Sequence, residues 1–292
     1  MAYHAGSASR SRDLAAEDDH PWRSDFALGS WYVRVTWLTD LHLNFIDEDR
    51  FAVFMEALRR EAPDVMLVTG DTAESTDFVS FIERLTHVAP LYFVLGNHDF
   101  YGSSVTEVRR RARATKCWLP SVGPVQLTKA TALIGVDGWG DARCGNLGSR
   151  VMLADWQWIR DLQGLTKQQR IDTLRTLGAQ EAGALTEQLA RLETTQELLV
   201  LTHVPPFAEA CWYEGRQSEP DWLPWFSCIS VGEVLLEYAR QHPATAITVL
   251  CGHSHGQGDY RPTENLLIKT GGWPRGQSDY GNPIVQTSWL IN

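Results

Sequence analysis

The sequence predicts an α/β protein built on a parallel sheet, and three observations carry that prediction. First, five apolar runs, at residues 33–39, 64–69, 91–95, 197–202 and 246–251, have the length and branched or aromatic content of strands buried on both faces. Second, the segments between the first three runs place apolar residues at helical spacing, so strand and helix alternate and imply right-handed crossovers. Third, every run stops in residues that a buried strand would not choose. These are Asp40-Leu41-His42, Gly70-Asp71, Gly96-Asn97-His98-Asp99, His203 and Gly252-His253-Ser254-His255. Open α/β sheets bind their ligands at the carboxyl ends of strands. One such ending is ordinary; five in one chain point to a polynuclear metal site.

Taken in order, residues 1–28 are rich in Ser, Arg, Ala and Asp without periodicity and read as a flexible extension, leaving 29–292 as one domain. The first strand, 32–39, is interrupted by Arg34, which places one edge or end of it in solvent. Residues 49–61 carry Phe51, Phe54, Met55 and Leu58 at helical spacing before Pro63 ends the helix. Strand 65–68 follows, then a helix marked by Phe78, Phe81, Ile82 and Leu85, then strand 91–95. The next helix, 105–114, is Arg-rich, and Arg109-Arg110-Arg111 with Arg113 reads as a solvated face. Residues 125–127 and 132–136 are short and close, as adjacent antiparallel strands are. Asp137-Gly138-Trp139-Gly140-Asp141 is a further Gly-rich strand exit, and 140–164 mixes Gly, Arg, Trp and Met around Asp155 as a wall for the site. A long helix is expected over 166–192, with Gly178 and Gly183 as candidate breaks, and strand 198–201 after it. Residues 205–228 form a Pro- and Trp-rich loop with few helix or strand signals, and a loop of that length in a compact domain is usually functional. A helix at 231–241, strands at 246–250 and 266–269 and a Gly/Pro-rich end complete the chain.

A net charge of −10 and a pI near 5.4 disfavour sequence-blind binding of nucleic acid through a broad basic face. Cys117, Cys144, Cys211, Cys228 and Cys251 are scattered and odd in number, which reads as reduced thiols. The N-terminus has no apolar signal core, and no run approaches the roughly 20 apolar residues of a membrane helix. A cytoplasmic protein without a membrane partner is expected.

Taken singly, the motif residues have plain structural roles open to them. Asp40 and Asp71 could cap helices, His203 could be a hydrogen-bonded loop histidine, and Asn97 could supply a left-handed turn. His253 and His255, flanked by glycine, have little packing purpose. A one-residue gap places Asp40 with His42, and His253 with His255, on one side of an extended strand exit.

As a set, Asp40-x-His42, Gly70-Asp71, Gly96-Asn97-His98-Asp99, His203 and Gly252-His253-x-His255 resemble the calcineurin-like metallophosphoesterase superfamily, in the family's order, over residues 33–255. The resemblance implies two stacked mixed β-sheets flanked by helices, a four-layer sandwich with metals at the strand ends. It implies a dinuclear centre in which Asp40, His42 and His255 hold one divalent ion, Asn97, His203 and His253 hold the other, and Asp71 bridges them. Carboxylate, imidazole and amide donors suit Mn, Fe or Zn, with Mg, Co or Ni as alternatives, better than soft copper or an all-oxygen calcium site. It further implies a bridging hydroxide as nucleophile, His98 as general acid to the leaving oxygen, and Asp99 as the residue that fixes the His98 tautomer and favours its imidazolium.

The expected activity is hydrolysis of phosphate esters, with a small phosphorylated metabolite or nucleotide as the favoured substrate. A phosphodiesterase or nuclease, or a protein phosphatase, is the alternative within the superfamily. The acidic charge counts against the nuclease. The protein phosphatase is disfavoured because the blocks around Asp71 and Asn97 lack the Arg that usually sits near each of them in those enzymes. A non-catalytic scaffold is disfavoured because His98 and all seven candidate ligands are present. Glu74 reads as a residue behind the ligands or a helix N-terminal charge. Asn44 and Tyr101 flank the blocks, as substrate contacts or as surface loop residues. Trp212, Trp222 and Trp225 read as a substrate wall, as the packing of an irregular loop or as a docking point for another protein.

Overall fold

The structure, a computed structural model, describes residues 32–74, 77–273 and 282–292. The extension expected at residues 1–28 lies outside the described residues.

Strand alternation divides each apolar run between two cores. In β1 (Val33–Leu38), β2 (Val65–Thr69) and β3 (Leu91–Val94), one face carries Val35, Trp37, Val65, Leu67, Tyr92 and Val94. The opposite face carries Leu38, Met66, Val68, Leu91 and Phe93, and packs on α1 (Glu48–Arg60) and α2 (Phe78–Thr86) through Phe51, Phe54, Leu58, Phe78 and Ile82. Side-chain caps from Asp47 and Ser104 start α1 and α3 (Val105–Ala114) by accepting from the backbone amides of Arg50 and Glu107.

The remaining elements are α4 (Leu119–Val122), β4 (Val125–Gln126), β5 (Thr131–Gly135), α5 (Asp155–Trp158), α6 (Lys167–Ala190), β6 (Glu197–Leu201), β7 (Trp212–Tyr213), β8 (Arg216–Gln217), α7 (Leu223–Phe226), α8 (Ile229–Gln241), β9 (Ala246–Cys251), β10 (Gly258–Thr263), β11 (Leu266–Thr270) and β12 (Val285–Ile291). Of these, β4, β5, β6, β9, β10 and β11 form a second sheet. On β5, β6 and β9, Ile134, Val200 and Val249 face α6 and α8, while Leu133, Leu199, Leu201 and Leu250 face the first sheet. The strand order is β12-β1-β2-β3 in one sheet and β10-β11-β9-β6-β5-β4 in the other. Each sheet is parallel inside and antiparallel at an edge. The result is the expected sandwich of two mixed sheets with helices outside.

Several local expectations change. Helix α6 runs unbroken over 24 residues, started by a capping box between Thr166 and Gln169. Gly178 is needed because Asp141 packs there: a Cβ at 178 would lie 2.6 Å from the Asp141 Cβ. Strand β12, in the part of the chain read only as a Gly/Pro-rich end, covers the open edge of β1 with Val33 opposite Ile291. The 205–228 segment holds a short hairpin, β7–β8, and one helical turn, α7. On α3, Arg110 and Arg111 pair with Glu107 near solvent as expected, but Arg109 turns inward to Asp137 and Glu181. All five cysteines are free thiols. Among the described residues, no helix is long and apolar enough to cross a membrane.

Candidate metal centre

The carboxyl ends of β1, β2 and β3 from one sheet meet those of β6 and β9 from the other. This brings Asp40, His42, Asp71 and His255 together with one donor atom from each within 4.8 Å of the others. Asp71 Oδ2 lies 4.0 Å from His42 Nε2 and 3.4 Å from His203 Nε2, so this carboxylate faces two groups of donors. The second group is Asn97, His203 and His253: Asn97 Oδ1 is 3.1 Å from His203 Nε2 and 2.9 Å from His253 Nδ1. Asp40 Oδ1 lies 3.5 Å from His255 Nε2 and accepts from the His253 amide at 3.0 Å.

The backbone that delivers these groups is left-handed rather than extended. Nine non-glycine described residues have positive φ, and five of them are Asp40, His42, Asp71, His253 and His255, at 45–66°. Each such residue costs about 1–2 kcal/mol, so their concentration here marks a functional site. The turn, not a shared strand face, lets both members of each one-residue-gap pair point inward. Asn97, by contrast, is right-handed at φ −65°. Two motif glycines admit the ligands: a Cβ at Gly96 would lie 2.2 Å from Asp71 Oδ1, and one at Gly252 would lie 2.1 Å from Asp40 Oδ2.

The hydrogen bonds outside the centre show that the donor set fits a cation. Nδ1 of His203 lies 2.7 Å from the Thr69 carbonyl, and Nε2 of His253 lies 3.3 Å from the Trp225 carbonyl. Each ring therefore donates outward and turns a lone pair inward. Asn97 Nδ2 donates to Asp155 Oδ1 at 2.8 Å, which fixes the amide so that its oxygen also faces inward. Three lone pairs and a carboxylate oxygen converge with no proton left to join them. A divalent ion resolves that arrangement.

Without it, protonation takes up the strain. Burial depresses His203, but the charges of Asp71 and Asp40 raise it to about 10. Burial and the neighbouring His203 charge push His253 well below its usual value. Burial raises Asp71, yet His203, His98 and His42 hold it well below the usual carboxylate range. Because His203 must lose its proton to act as a ligand, metal affinity is expected to rise with pH across the neutral range, with protons released on binding. Metal titration at pH 6, 7 and 8 checks this; an affinity that does not change with pH contradicts it.

Asp99 departs from its expected role. Its Oδ2 accepts from the amides of Gly96 (2.8 Å) and Asp71 (3.0 Å), and its Oδ1 from those of Thr72 (3.0 Å) and Ala73 (3.2 Å). The carboxylate thus ties the β2 and β3 exits together instead of orienting His98. Burial and the Asp71 charge push it up to about 8, against the amides that favour its ionised form. His98 sits with its ring 4.6 Å from that of His42 and 4.2 Å from that of Tyr101, and its amide donates to Asp71 Oδ1 at 2.8 Å.

The carboxylate on this side of the site is Asp155, which the sequence placed only in a general wall. Its Oδ1 accepts from Tyr101 (2.6 Å) as well as Asn97, and His98 acts on its charge. No short motif links residues 97 and 155, so only the fold reveals the pair. Asp155→Ala frees the Asn97 amide to rotate and is expected to weaken, by about 10–100-fold, the binding of any divalent ion that Asn97, His203 and His253 would hold, without affecting one at Asp40, His42 and His255. Asp155→Asn keeps an acceptor and most of the affinity. Stepwise metal titration decides; unchanged affinities in Asp155→Ala contradict this role. Of the other flanking residues, Tyr101 and Trp222 line the cavity over the site, and Trp225 is buried. Trp212 stands against Gly256 and Gly258, and Asn44 accepts from the Glu74 amide at 3.2 Å.

The sequence pattern of calcineurin-like phosphoesterases matches residues 33–257, the span that contains all of these groups. The chain belongs to the calcineurin-like phosphoesterase family. Solved structures with this phosphoesterase fold include the phosphopantetheinyl hydrolase PptH from Mycobacterium tuberculosis, which is 14% identical, with a TM-score of 0.59 over 86% of this chain and 95% of that one. A dimetal phosphatase from Danio rerio is 14% identical, with a TM-score of 0.50 over 86% of this chain and 90% of that one. At this identity the likeness bears on the fold alone. No curated protein matches the phosphoesterase chain in sequence.

Proposed function

We propose that this phosphoesterase hydrolyses small phosphate esters at a two-metal centre. The observation that carries the reading is the convergence of both donor groups on Asp71 at the floor of a cavity of about 380 Å³, which His98 also lines. Asp40, His42 and His255 would hold one divalent ion, Asn97, His203 and His253 the other, with Asp71 shared. When bound, such a pair supplies positive charge to the phosphoryl oxygens and acidifies water. The residues of the chain do the rest. Asp71 fixes the His98 backbone through its amide, and His98, facing the cavity, gives a proton from an imidazole nitrogen to the departing alcohol oxygen. The phosphorus–oxygen bond to that alcohol breaks as water adds, so atoms and charge balance. A cavity of this size favours a small metabolite over a protein substrate.

The test is hydrolysis of p-nitrophenyl phosphate and bis-p-nitrophenyl phosphate by metal-stripped protein refilled with Mn²⁺, Zn²⁺ or Mg²⁺. Turnover restored by metal is expected, and the ratio of the two substrates separates monoesterase from diesterase. Silence on both with two ions bound contradicts the reading. His98→Ala is expected to retain both ions and to slow alkyl esters by ~10²–10⁴-fold, with a smaller effect on nitrophenyl esters, whose leaving group needs no proton. Equal slowing of both would show that His98 is not the acid.

A further inference from the structure

The walls of the cavity differ in chemistry from its floor. Nine large apolar side chains among the described residues are solvent-exposed, and three of them, Met152, Tyr213 and Trp222, line this one cavity. An apolar surface gathered at the mouth of a polar site marks the place of a ligand. Two separate segments supply it: the stretch before α5 brings Met152 and Leu153, and the β7–β8 hairpin with α7 brings Tyr213, Trp222 and Phe226.

The aromatic part is a ring stack joined to the metal side. Trp222 and Phe226 stack with ring centres 5.3 Å apart and planes 7° from parallel. Phe226 in turn meets the His253 ring edge-on at 4.5 Å. The stack they form therefore begins at a candidate ligand and runs outward. Charge argues in the same direction. Arg216 is the single Lys or Arg among the described lining residues, and it lies 3.4 Å from Glu219; Asp155 adds a second carboxylate to the walls. A group carrying further phosphates would meet two carboxylates and one already paired cation.

We propose that this aromatic wall is a leaving-group subsite, and that the substrate is a phosphate ester of an aromatic, uncharged alcohol rather than of a sugar or a further phosphorylated nucleotide. The proposal rests on the hydrolase reading above. The flat alcohol packs against the Trp222–Phe226 stack with its phosphate on the floor, which sets the ester oxygen beside His98.

The experiment compares 2-naphthylmethyl phosphate with ethyl phosphate and glycerol phosphate, whose leaving groups are all alkyl alcohols, on the metal-loaded protein. In parallel, binding of 2-naphthylmethyl phosphonate and ethyl phosphonate, which cannot be hydrolysed, is measured by calorimetry. The expected result is a preference of at least tenfold for the naphthylmethyl compounds in kcat/KM and in affinity, carried by KM. Trp222→Ala is expected to reduce that preference to threefold or less. Tyr213→Ala, on the hairpin, gives a second reading if truncation at 222 unfolds the protein. Hydrolysis of all three esters without preference, or a preference untouched by both substitutions, overturns the subsite. Selective phosphonate binding without hydrolysis of any ester would instead keep the subsite and remove the hydrolase reading.

Discussion

Asp71→Asn is expected to abolish the paired centre while leaving the fold intact. The carboxylate is fully buried, yet only one of its oxygens serves the backbone: Oδ1 accepts the His98 amide at 2.8 Å. An asparagine oxygen can keep that bond. The other oxygen, 3.4 Å from His203 Nε2 and 4.0 Å from His42 Nε2, would become an NH₂ group, which offers no lone pair to a cation. The variant loses the one negative charge that both ions would share. It is expected to hold at most one ion per chain and to lose about 10³-fold or more in hydrolysis, the loss of several kcal/mol of transition-state stabilisation. A metal-free readout accompanies this. Asp71 is the leading charge that raises His203, so the His203 titration followed by NMR should move down in the variant. Two tightly bound ions with undiminished turnover would contradict the shared role of Asp71.

The largest effect on stability is expected at Arg109. Its guanidinium donates through Nε to Asp137 Oδ2 at 3.1 Å and through Nη2 to Glu181 Oε1. Both carboxylates are almost wholly buried. Asp137 Oδ1 in turn accepts from the Leu95 amide (2.9 Å) and the Trp118 indole (2.8 Å), and Glu181 Oε2 from the Asp137 amide (3.0 Å). One cation thus clasps α3, α6 and the exits of β3 and β5, directly behind Gly96 and Asn97. Removing one partner of a buried ion network strands the other charges, at about 3–5 kcal/mol. Arg109→Met, which keeps volume, is expected to destabilise by that amount.

The loss should also depend on pH. Burial pushes Glu181 up to about 7, with Arg109 resisting the rise and Asp137 adding to it. A folded value above the unfolded 4.5 means that Glu181 contributes its stability in full below about 4.5 and loses it as pH rises through about 7. Without Arg109 the carboxyl rises further and stays protonated longer. The deficit of Arg109→Met is therefore expected to be smaller at pH 5 than at pH 8, and Glu181→Gln should relieve part of it. Urea unfolding at the two pH values measures this; an equal or smaller deficit at pH 8 would show that the network is not the cause.

How much of this was legible in the sequence depends on how local the signal is. Strand ends that carry Asp, Asn and His are local, so a parallel sheet with a metal site at its strand ends could be read from the residues, while the second sheet and the grouping of Asp40, His42, Asp71 and His255 came from the family resemblance. The left-handed backbone at Asp40, His42, Asp71, His253 and His255 could not, because no L residue advertises a strained φ and the strain is imposed by packing around the site. The role that the resemblance implied for Asp99 is not what its contacts serve, because four amides from two loops claim its oxygens. Arg109 was hidden inside a charge run, although its spacing from Val105 and Ala112 places it on the buried stripe of α3. Strand β12 escaped because its half-buried residues alternate weakly. Asp155 carries no motif and acts only through the folded chain.

Two ions are expected to share Asp71. The most direct measurement is to load metal-stripped protein with Mn²⁺, count ions per chain and record the electron paramagnetic resonance spectrum. Two ions per chain with an exchange-coupled spectrum, replaced by the six-line signal of an isolated ion in Asp71→Asn, is the expected result. One ion per chain, or two without magnetic coupling, would contradict a shared Asp71.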